Sequence, residues 1–409
     1  MRTVLYVIIG FVLQHTICAQ SDYLYQIGKK DSVYSNILNE SRDVYVQLPY
    51  SYNANSKEKY PVIYILDGDV LLPTVVNVHD YYSGGFMPEM IIVGISNAEN
   101  RTRDLTTSKI TSRRGMPYNE ENGEAKHFLS FIKTELIPYI EDKYPVTNYR
   151  TLIGHSYAGL FTIYTMLNQP DLFANYISID PSLDWDDQKI MKQAKSDFLN
   201  KNFTGKGLFM SLGGQLHMQD SNITIDNVMQ DTSDYTLFAR SNIELSQFIN
   251  TNESIGLNYE WQFYPNDLHG TIPQPSIKDG LISLFQWYQM ENTDAINNPE
   301  TELAELQRII EHRAEKLERH FGYVVPPYPE DLLNMCGYMN MEMKQQDKSK
   351  LYFEKAIAYY PNSANAYDSM ADYYETQEDF AKALIYAKSA YEISGNDYHK
   401  AKIEKYENR

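Results

Sequence analysis

Thr151-Leu-Ile-Gly-His-Ser-Tyr-Ala-Gly-Leu-Phe-Thr-Ile-Tyr-Thr-Met-Leu167 decides how the rest of the chain is read. Residues 151–153 form an apolar run and residues 160–167 a helix-forming one. The serine between them therefore sits on a sharp strand-to-helix turn, the layout of a nucleophile elbow. Such a turn folds the helix start back against the strand and leaves room only for small side chains two positions either side of the serine. Gly154 meets that demand fully, and Ala158 meets it with one extra methyl.

A serine hydroxyl attacks only when a base takes its proton, so the elbow requires a histidine. His79, His127, His155, His217, His269, His312, His320 and His399 are available beyond the N-terminal segment. His155 adjoins Ser156, but its side chain should point away from the apex of the turn. In α/β-hydrolase order the base comes last, on a loop beyond the final sheet strand. His269 fits that place, because Tyr259–Tyr264 reads as a strand, 265–273 as a loop, and a helix begins near Pro275.

The acid should follow the strand Gly207–Leu212, which makes Asp220 the first choice, although Gln215 stands where a carboxylate is expected. Asp226 and Asp231 lie farther on, Asp180 ends another strand, and Asp267 shares the histidine's loop. A Ser–His dyad steadied by a backbone carbonyl is a further arrangement. An oxyanion hole needs two preorganised N–H donors. Tyr157, the residue after the nucleophile, supplies one, and the turn Leu66-Asp-Gly-Asp69 supplies the other at Asp69. Trp185, in a loop after a strand, offers a ring for stacking on an aromatic or sugar substrate.

Around this centre, strands and helices alternate from about Tyr34 to Gln289. Strand candidates are Asp43–Leu48, Val62–Leu66, Met90–Ile95, Arg150–Ile153, Asn175–Ile179, Gly207–Leu212 and Tyr259–Tyr264. Several are continuously apolar, as parallel strands covered on both faces are. Helices fit between them, notably at His127–Asp142 and Tyr157–Leu167. The expected fold is an α/β-hydrolase sheet with flanking helices. A polar, breaker-rich stretch from Asn292 to Pro299 ends this domain, and a charged helix follows from Glu302 to about Arg319.

The tail repeats itself. Gly337 and Ala371 lie 34 residues apart, as do Ala356 and Ala390, and Pro361 closes the first unit. Small residues at that period resemble tetratricopeptide repeats, in which paired helices touch at small side chains. The expected division is a signal peptide at 1–19, an α/β-hydrolase domain at 20–291, a linker and helix at 292–329, and repeats at 330–395. Two repeats are too few to stand alone, so the tail is expected to dock on the main domain, a second subunit or a peptide.

The chain has 409 residues and a net charge of −18, which argues against binding a nucleic-acid backbone. Its 43% hydrophobic content suits a soluble globular protein. Val4–Leu13, behind Arg2, has the length of a signal-peptide core, and cleavage after Ala19 predicts a periplasmic or secreted protein with no span in the mature chain. Loss of Cys18 with the signal would leave Cys336 unpaired. No sequence spacing suggests a metal site, and no Walker or dinucleotide motif is present, so no cofactor is expected.

The stretches Tyr60–Asp69, Val93–Asn97 with Arg101–Thr106, Gly154–Gly159, Asp180–Leu183 with Trp185, and His269–Pro273 occur in that order. As a set they resemble the putative-esterase family of α/β-hydrolases, which includes enterobactin-type siderophore esterases, feruloyl esterases and esterase D-like enzymes. The resemblance covers roughly Asp31 to Tyr288. It implies hydrolysis of a small carboxylic ester, of siderophore or polysaccharide-linked type, with Ser156 as nucleophile and His269 as base. Ala158 and Gln215 depart from the pattern. The competing expectation is a catalytically silent hydrolase-like binding protein with an adaptor tail.

Overall fold

The computed structural model describes residues 27–54, 58–217 and 219–409; the expected signal segment lies outside them. Eight strands form one sheet: β1 (Lys29–Ser35), β2 (Glu40–Gln47), β3 (Tyr60–Leu66), β4 (Ile91–Ile95), β5 (Val146–His155), β6 (Asn175–Ile179), β7 (Gly207–Gly213) and β8 (Asn258–Tyr264). Their spatial order is β1-β2-β4-β3-β5-β6-β7-β8. The first two strands run antiparallel to their neighbours, and all the later pairs are parallel. The composition follows this division. β3, β4, β6 and β7 are buried at every residue, whereas β2, next to the edge strand β1, buries alternate residues.

Two cores cover the two faces, as the period of two along each strand requires. Tyr64, Leu66 and Leu152 point to one face, where they pack with helices α2 (Ala125–Lys143, with a π turn at Ile132–Leu136), α3 (Tyr157–Asn168) and α4 (Trp185–Asn200). Ile63, Ile65 and Ile153 point to the other, against α1 (Gly68–Tyr82) and α6 (Pro273–Phe285); α5 (Leu237–Asn250) precedes α6 in the chain. This is the α/β-hydrolase architecture expected from the sequence.

Register matters most at the carboxyl ends of the central strands. His155 pairs with Ile179, and Ile179 with Ser211, so β5 and β6 end level with one another while β7 runs two residues farther to Gly213. The ladder extends one residue farther, with Ser156 N–H donating to Ile179 O at 2.9 Å and Asp180 N–H to Ser211 O at 3.0 Å. The residues that leave β5 and β6 therefore emerge side by side.

The C-terminal part is all helical: α7 (Leu303–Phe321), α8 (Glu330–Glu342), α9 (Gln346–Tyr359), α10 (Ala364–Thr376), α11 (Phe380–Ser394) and α12 (Asp397–Glu407). The starts of α8 and α10 lie 34 residues apart, as do those of α9 and α11. A Cβ on Gly337 would come within 2.4 Å of the Phe353 ring, so the close approach of α8 and α9 depends on that glycine. Helix α7 belongs physically to both parts. Leu317 and Phe321 join the core of the main sheet, while Leu306, Ile309 and Ile310 pack with the helical tail. Tyr323 OH donates to Thr147 Oγ1 at 3.0 Å, which fixes the tail near the start of β5, at the opposite end of that strand from Ser156. Among the described residues, no helix is long and apolar enough to cross a membrane.

Candidate active site

Ser156 adopts φ 63° and ψ −115°, a conformation a side-chain-bearing residue occupies only when its surroundings force it. The forcing groups are visible. A Cβ on Gly154 would lie 2.2 Å from Ala158 O, so the helix start can fold back only over a glycine. Ala158 is fully buried and belongs to the core on that face of the sheet.

The structure brings three of the candidate residues into one line. His269 Nε2 lies 3.0 Å from Ser156 Oγ, and His269 Nδ1 lies 2.5 Å from Asp180 Oδ2. The second Asp180 oxygen, Oδ1, accepts the Gly213 N–H at 3.0 Å. Asp180 is 2% exposed and has φ 44°, which turns its carboxylate sideways across the end of β7. The His269 loop is itself braced, since Gly214 N–H donates to Asp267 O at 2.8 Å and Thr271 Oγ1 donates to Asp267 Oδ1 at 3.0 Å. The Asp267 carboxylate thus shapes the loop rather than facing the imidazole.

Asp220, the first choice for the acid from the sequence, is not brought to His269. It lies exposed in the segment after β7, its N–H donates to His217 Nδ1 at 2.8 Å, and its Oδ1 accepts from Asn222. The reason is the register of β6 against β7: β6 ends two residues before β7, and the residue leaving it, Asp180, already fills the space between Gly213 and the imidazole. Asp180 is among the alternatives the sequence offers, and its signal is its position at the end of a strand candidate.

Trp185 also differs from expectation. It is 1% exposed, its Nε1 donates to Ser108 O at 2.9 Å, and Tyr118 and Tyr157 pack edge-on against it. A ring so enclosed cannot stack on a substrate; it supports the cleft wall from behind. Asp69 stands exposed in the first turn of α1, outside the cleft lining. The turn before it is held tightly: a Cβ on Gly68 would meet the Gly94 backbone at 2.5 Å, and Asp67 accepts Arg101 at 2.9 and 2.8 Å. Arg101 Nη2 also donates to His155 O at 3.0 Å, which ties that turn to the elbow.

His155 lies beside the reacting groups without joining them. Its ring centroid is 4.6 Å from that of His269, and its buried Nε2 has no hydrogen-bond partner among the described residues. Burial, reinforced by the neighbouring His269 and Arg101 charges, pushes its pKa down to about 3. It is therefore a neutral ring at neutral pH. Among the described residues, His155, Asp180 and His269 place ligand-type atoms within 4.8 Å of one another, a convergence the sequence spacing did not reveal. The hydrogen bonds of His269 to Ser156 and Asp180 already engage both of its ring nitrogens.

The cleft above Ser156 has a volume of about 270 Å³. Ser156, Tyr157 and His269 form its floor, with Ser182, Gln215 and Phe238 among its walls. Arg113 and Arg114, which sequence reasoning missed, also line it. Arg113 Nη1 donates to the Tyr157 hydroxyl and Nη2 to Asp184 Oδ2 at 3.2 Å. A serine oxygen aligned with an imidazole, itself aligned with a buried carboxylate, can pass a proton from the hydroxyl to the ring.

Residues 35–237 match the family model described as putative esterase. The ferri-bacillibactin esterase BesA of Bacillus subtilis is 32% identical over 170 residues, 38% of this chain and 59% of that protein. The siderophore triacetylfusarinine C esterase of Aspergillus fumigatus is 28% identical over 150 residues, 33% of this chain and 49% of that protein. The matches thus span about half of each of these curated relatives. In fold, an IroE-like serine hydrolase from Shewanella oneidensis aligns with a TM-score of 0.65 at 24% identity, covering 80% of this chain and 98% of that one. A Capnocytophaga ochracea protein of uncharacterised function aligns at 0.59 and 20% identity over 94% of this chain and 100% of its own, a span that includes much of the helical tail.

Proposed function

This chain belongs to the putative-esterase family of α/β-hydrolases, and on that premise we propose that it hydrolyses carboxylic esters through an acyl-enzyme on Ser156. The observation that carries the reading is the line Ser156 Oγ, His269 Nε2 and Nδ1, Asp180 Oδ2, at 3.0 and 2.5 Å. In the first half-reaction Ser156 Oγ attacks the acyl carbon while His269 Nε2 takes its proton. Asp180 holds the Nδ1–H tautomer and stabilises the imidazolium. The N–H of Tyr157, at the positive end of α3, is the proposed donor to the oxyanion; Asp69, outside the cleft lining, is not assigned that role. The imidazolium then protonates the leaving alcohol, and a water activated by the same ring releases the acid.

The proposed substrate class is supported by the relatives, one named a ferri-bacillibactin esterase and another a siderophore esterase. A siderophore ester met outside the cytoplasm is the substrate this supports best, because the apolar segment Val4–Leu13 has the character of an export signal. The tail is proposed to act as tetratricopeptide-like helix pairs for docking or assembly. Its anchorage at the start of β5, far from Ser156, supports a role apart from catalysis.

The test is a kinetic cycle on p-nitrophenyl butyrate. Ser156→Ala and His269→Ala should each lower kcat by ~10⁴-fold or more, and the double variant should lose little beyond either single one. Additive losses would show that the two residues do not work as a unit and would remove the proposed mechanism.

A further inference from the structure

The residues Ser112-Arg-Arg-Gly-Met-Pro117 form a small hairpin over the cleft, with Ser112 paired to Pro117 and Arg113 to Met116. That pairing leaves a two-residue turn, Arg114-Gly115, with φ of 49° and 74°. Turns with both central residues at positive φ favour Asn-Gly or Asp-Gly, because short polar side chains and glycine tolerate the left-handed region. An arginine in the first position is disfavoured there, so the fold accepts local strain to keep a guanidinium at this point.

The charges on this wall do not balance. Arg113 and Arg114 both approach Asp184 Oδ2, at 3.2 and 3.6 Å, and Asp184 is almost fully buried. Arg113 is further held by the Tyr157 hydroxyl and by the face of Trp185, 5.2 Å from its guanidinium carbon. Asp180, the carboxylate that lines the cleft among the described residues, is engaged by His269 and Gly213. One carboxylate thus serves two guanidiniums, and Arg114, with its side chain 44% exposed, lines the cleft that contains Ser156. In a chain of net charge −18 this cationic rim stands against the overall field.

We propose that Arg114, with Arg113 behind it, forms an anion-binding subsite at the rim of the cleft, so that the preferred esters carry a negative charge beyond the scissile bond. The proposal rests on the esterase reading above for its substrate, and it adds the charge of that substrate. Arg113 is the fixed member, clamped by Asp184, Tyr157 and Trp185; Arg114 is the member with donors to offer. A planar guanidinium suits carboxylate, sulfonate and phenolate oxygens alike, since all accept its N–H groups in one plane.

The experiment compares matched esters that differ by one charge: p-nitrophenyl valerate with mono-p-nitrophenyl glutarate for the acyl side, and phenyl acetate with 4-sulfophenyl acetate for the alcohol side. The readout is the ratio of kcat/KM, anionic to neutral. In Arg114→Asn this ratio should fall ~10-fold in at least one pair, mainly through KM, the discount for partial exposure included. Arg114→Lys should keep most of the preference, and added salt should weaken it in the wild type. Because asparagine suits the left-handed position, Arg114→Asn should melt no lower than the wild type. Unchanged ratios in both pairs would overturn the subsite while leaving the esterase reading intact. Failure of the wild type to hydrolyse any of the four esters would overturn both. Should the asparagine variant not fold, wild-type ratios that stay constant between low and high salt would equally overturn the subsite.

Discussion

Replacing Asp180 by asparagine separates the carboxylate that lies beside His269 from the one the strand order suggests. The two side chains have the same shape, so Oδ1 can keep the Gly213 N–H at 3.0 Å. The Nδ2 group then faces His269 Nδ1, where a 2.5 Å contact to a carboxylate oxygen stood. Two donors cannot share that contact, so the imidazole must carry its proton on Nε2 and present a donor, not an acceptor, to Ser156 Oγ. The base is then in the wrong tautomer, and the imidazolium formed during attack loses its counter-charge. A carboxylate-to-amide change in such a relay costs ~10⁴-fold in kcat with the geometry preserved. Asp180 is almost wholly buried, so water offers little compensation, and we expect Asp180→Asn to lose 10³–10⁴-fold, on the order of 4–5 kcal/mol in activation free energy. The assay is kcat on p-nitrophenyl butyrate at saturating substrate, with circular dichroism to confirm the fold. Asp220→Asn, an exposed change, should stay within about twofold of the wild type. The reasoning is refuted if Asp180→Asn keeps more than a tenth of the wild-type kcat, or if Asp220→Asn shows the large loss instead.

Other perturbations follow from the same contacts. Gly154→Ala would place a methyl 2.2 Å from Ala158 O, and urea denaturation should show a loss of about 3 kcal/mol or more, or failure to fold. Phe321→Ala removes a ring that packs on Tyr149 and Trp287 at 4.9 and 5.1 Å, and should cost about 3–5 kcal/mol in the same measurement, an effect on the union of tail and sheet. His155 has a folded pKa of about 3 against the ordinary 6.5, so the unfolded chain binds the extra proton between those values. Its contribution to stability is present above pH 6.5 and is lost as pH falls toward 3. Thermal melts of His155→Asn should accordingly depend less steeply on pH between 6.5 and 4 than those of the wild type; equal slopes would show that His155 is not buried as a neutral ring.

The sheet was legible where physics leaves little choice. Strands buried on both faces must be largely apolar, so β3, β4, β6 and β7 announce themselves in the sequence even with Asn175, Ser178 and Ser211 among their residues. β1 escaped notice because its sequence, Lys29–Ser35, is mostly polar and largely exposed at the sheet edge. Ser156 and His269 could be placed because each is fixed by local signals, a turn between a strand and a helix, and a loop after the last strand. The carboxylate could not, because which of several acids meets the imidazole depends on the register of β6 against β7, a long-range pairing that local sequence does not carry. Trp185 sits among Asp184, Asp186 and Asp187 and reads as a surface loop; its burial depends on Ser108 and Tyr118, far away in the chain. Arg113 and Arg114 were silent for a similar reason, since only the folded hairpin brings them over Ser156.

The central claim is that Ser156 carries the acyl group. Incubating the full chain with a fluorophosphonate and sequencing the labelled peptide by mass spectrometry tests it most directly. We expect one equivalent of label, on Ser156 within the peptide that spans Gly154–Gly159, and none on the His269→Ala variant over the same time. Label on another serine such as Ser182, or equal labelling of Ser156 when His269 is absent, would contradict it.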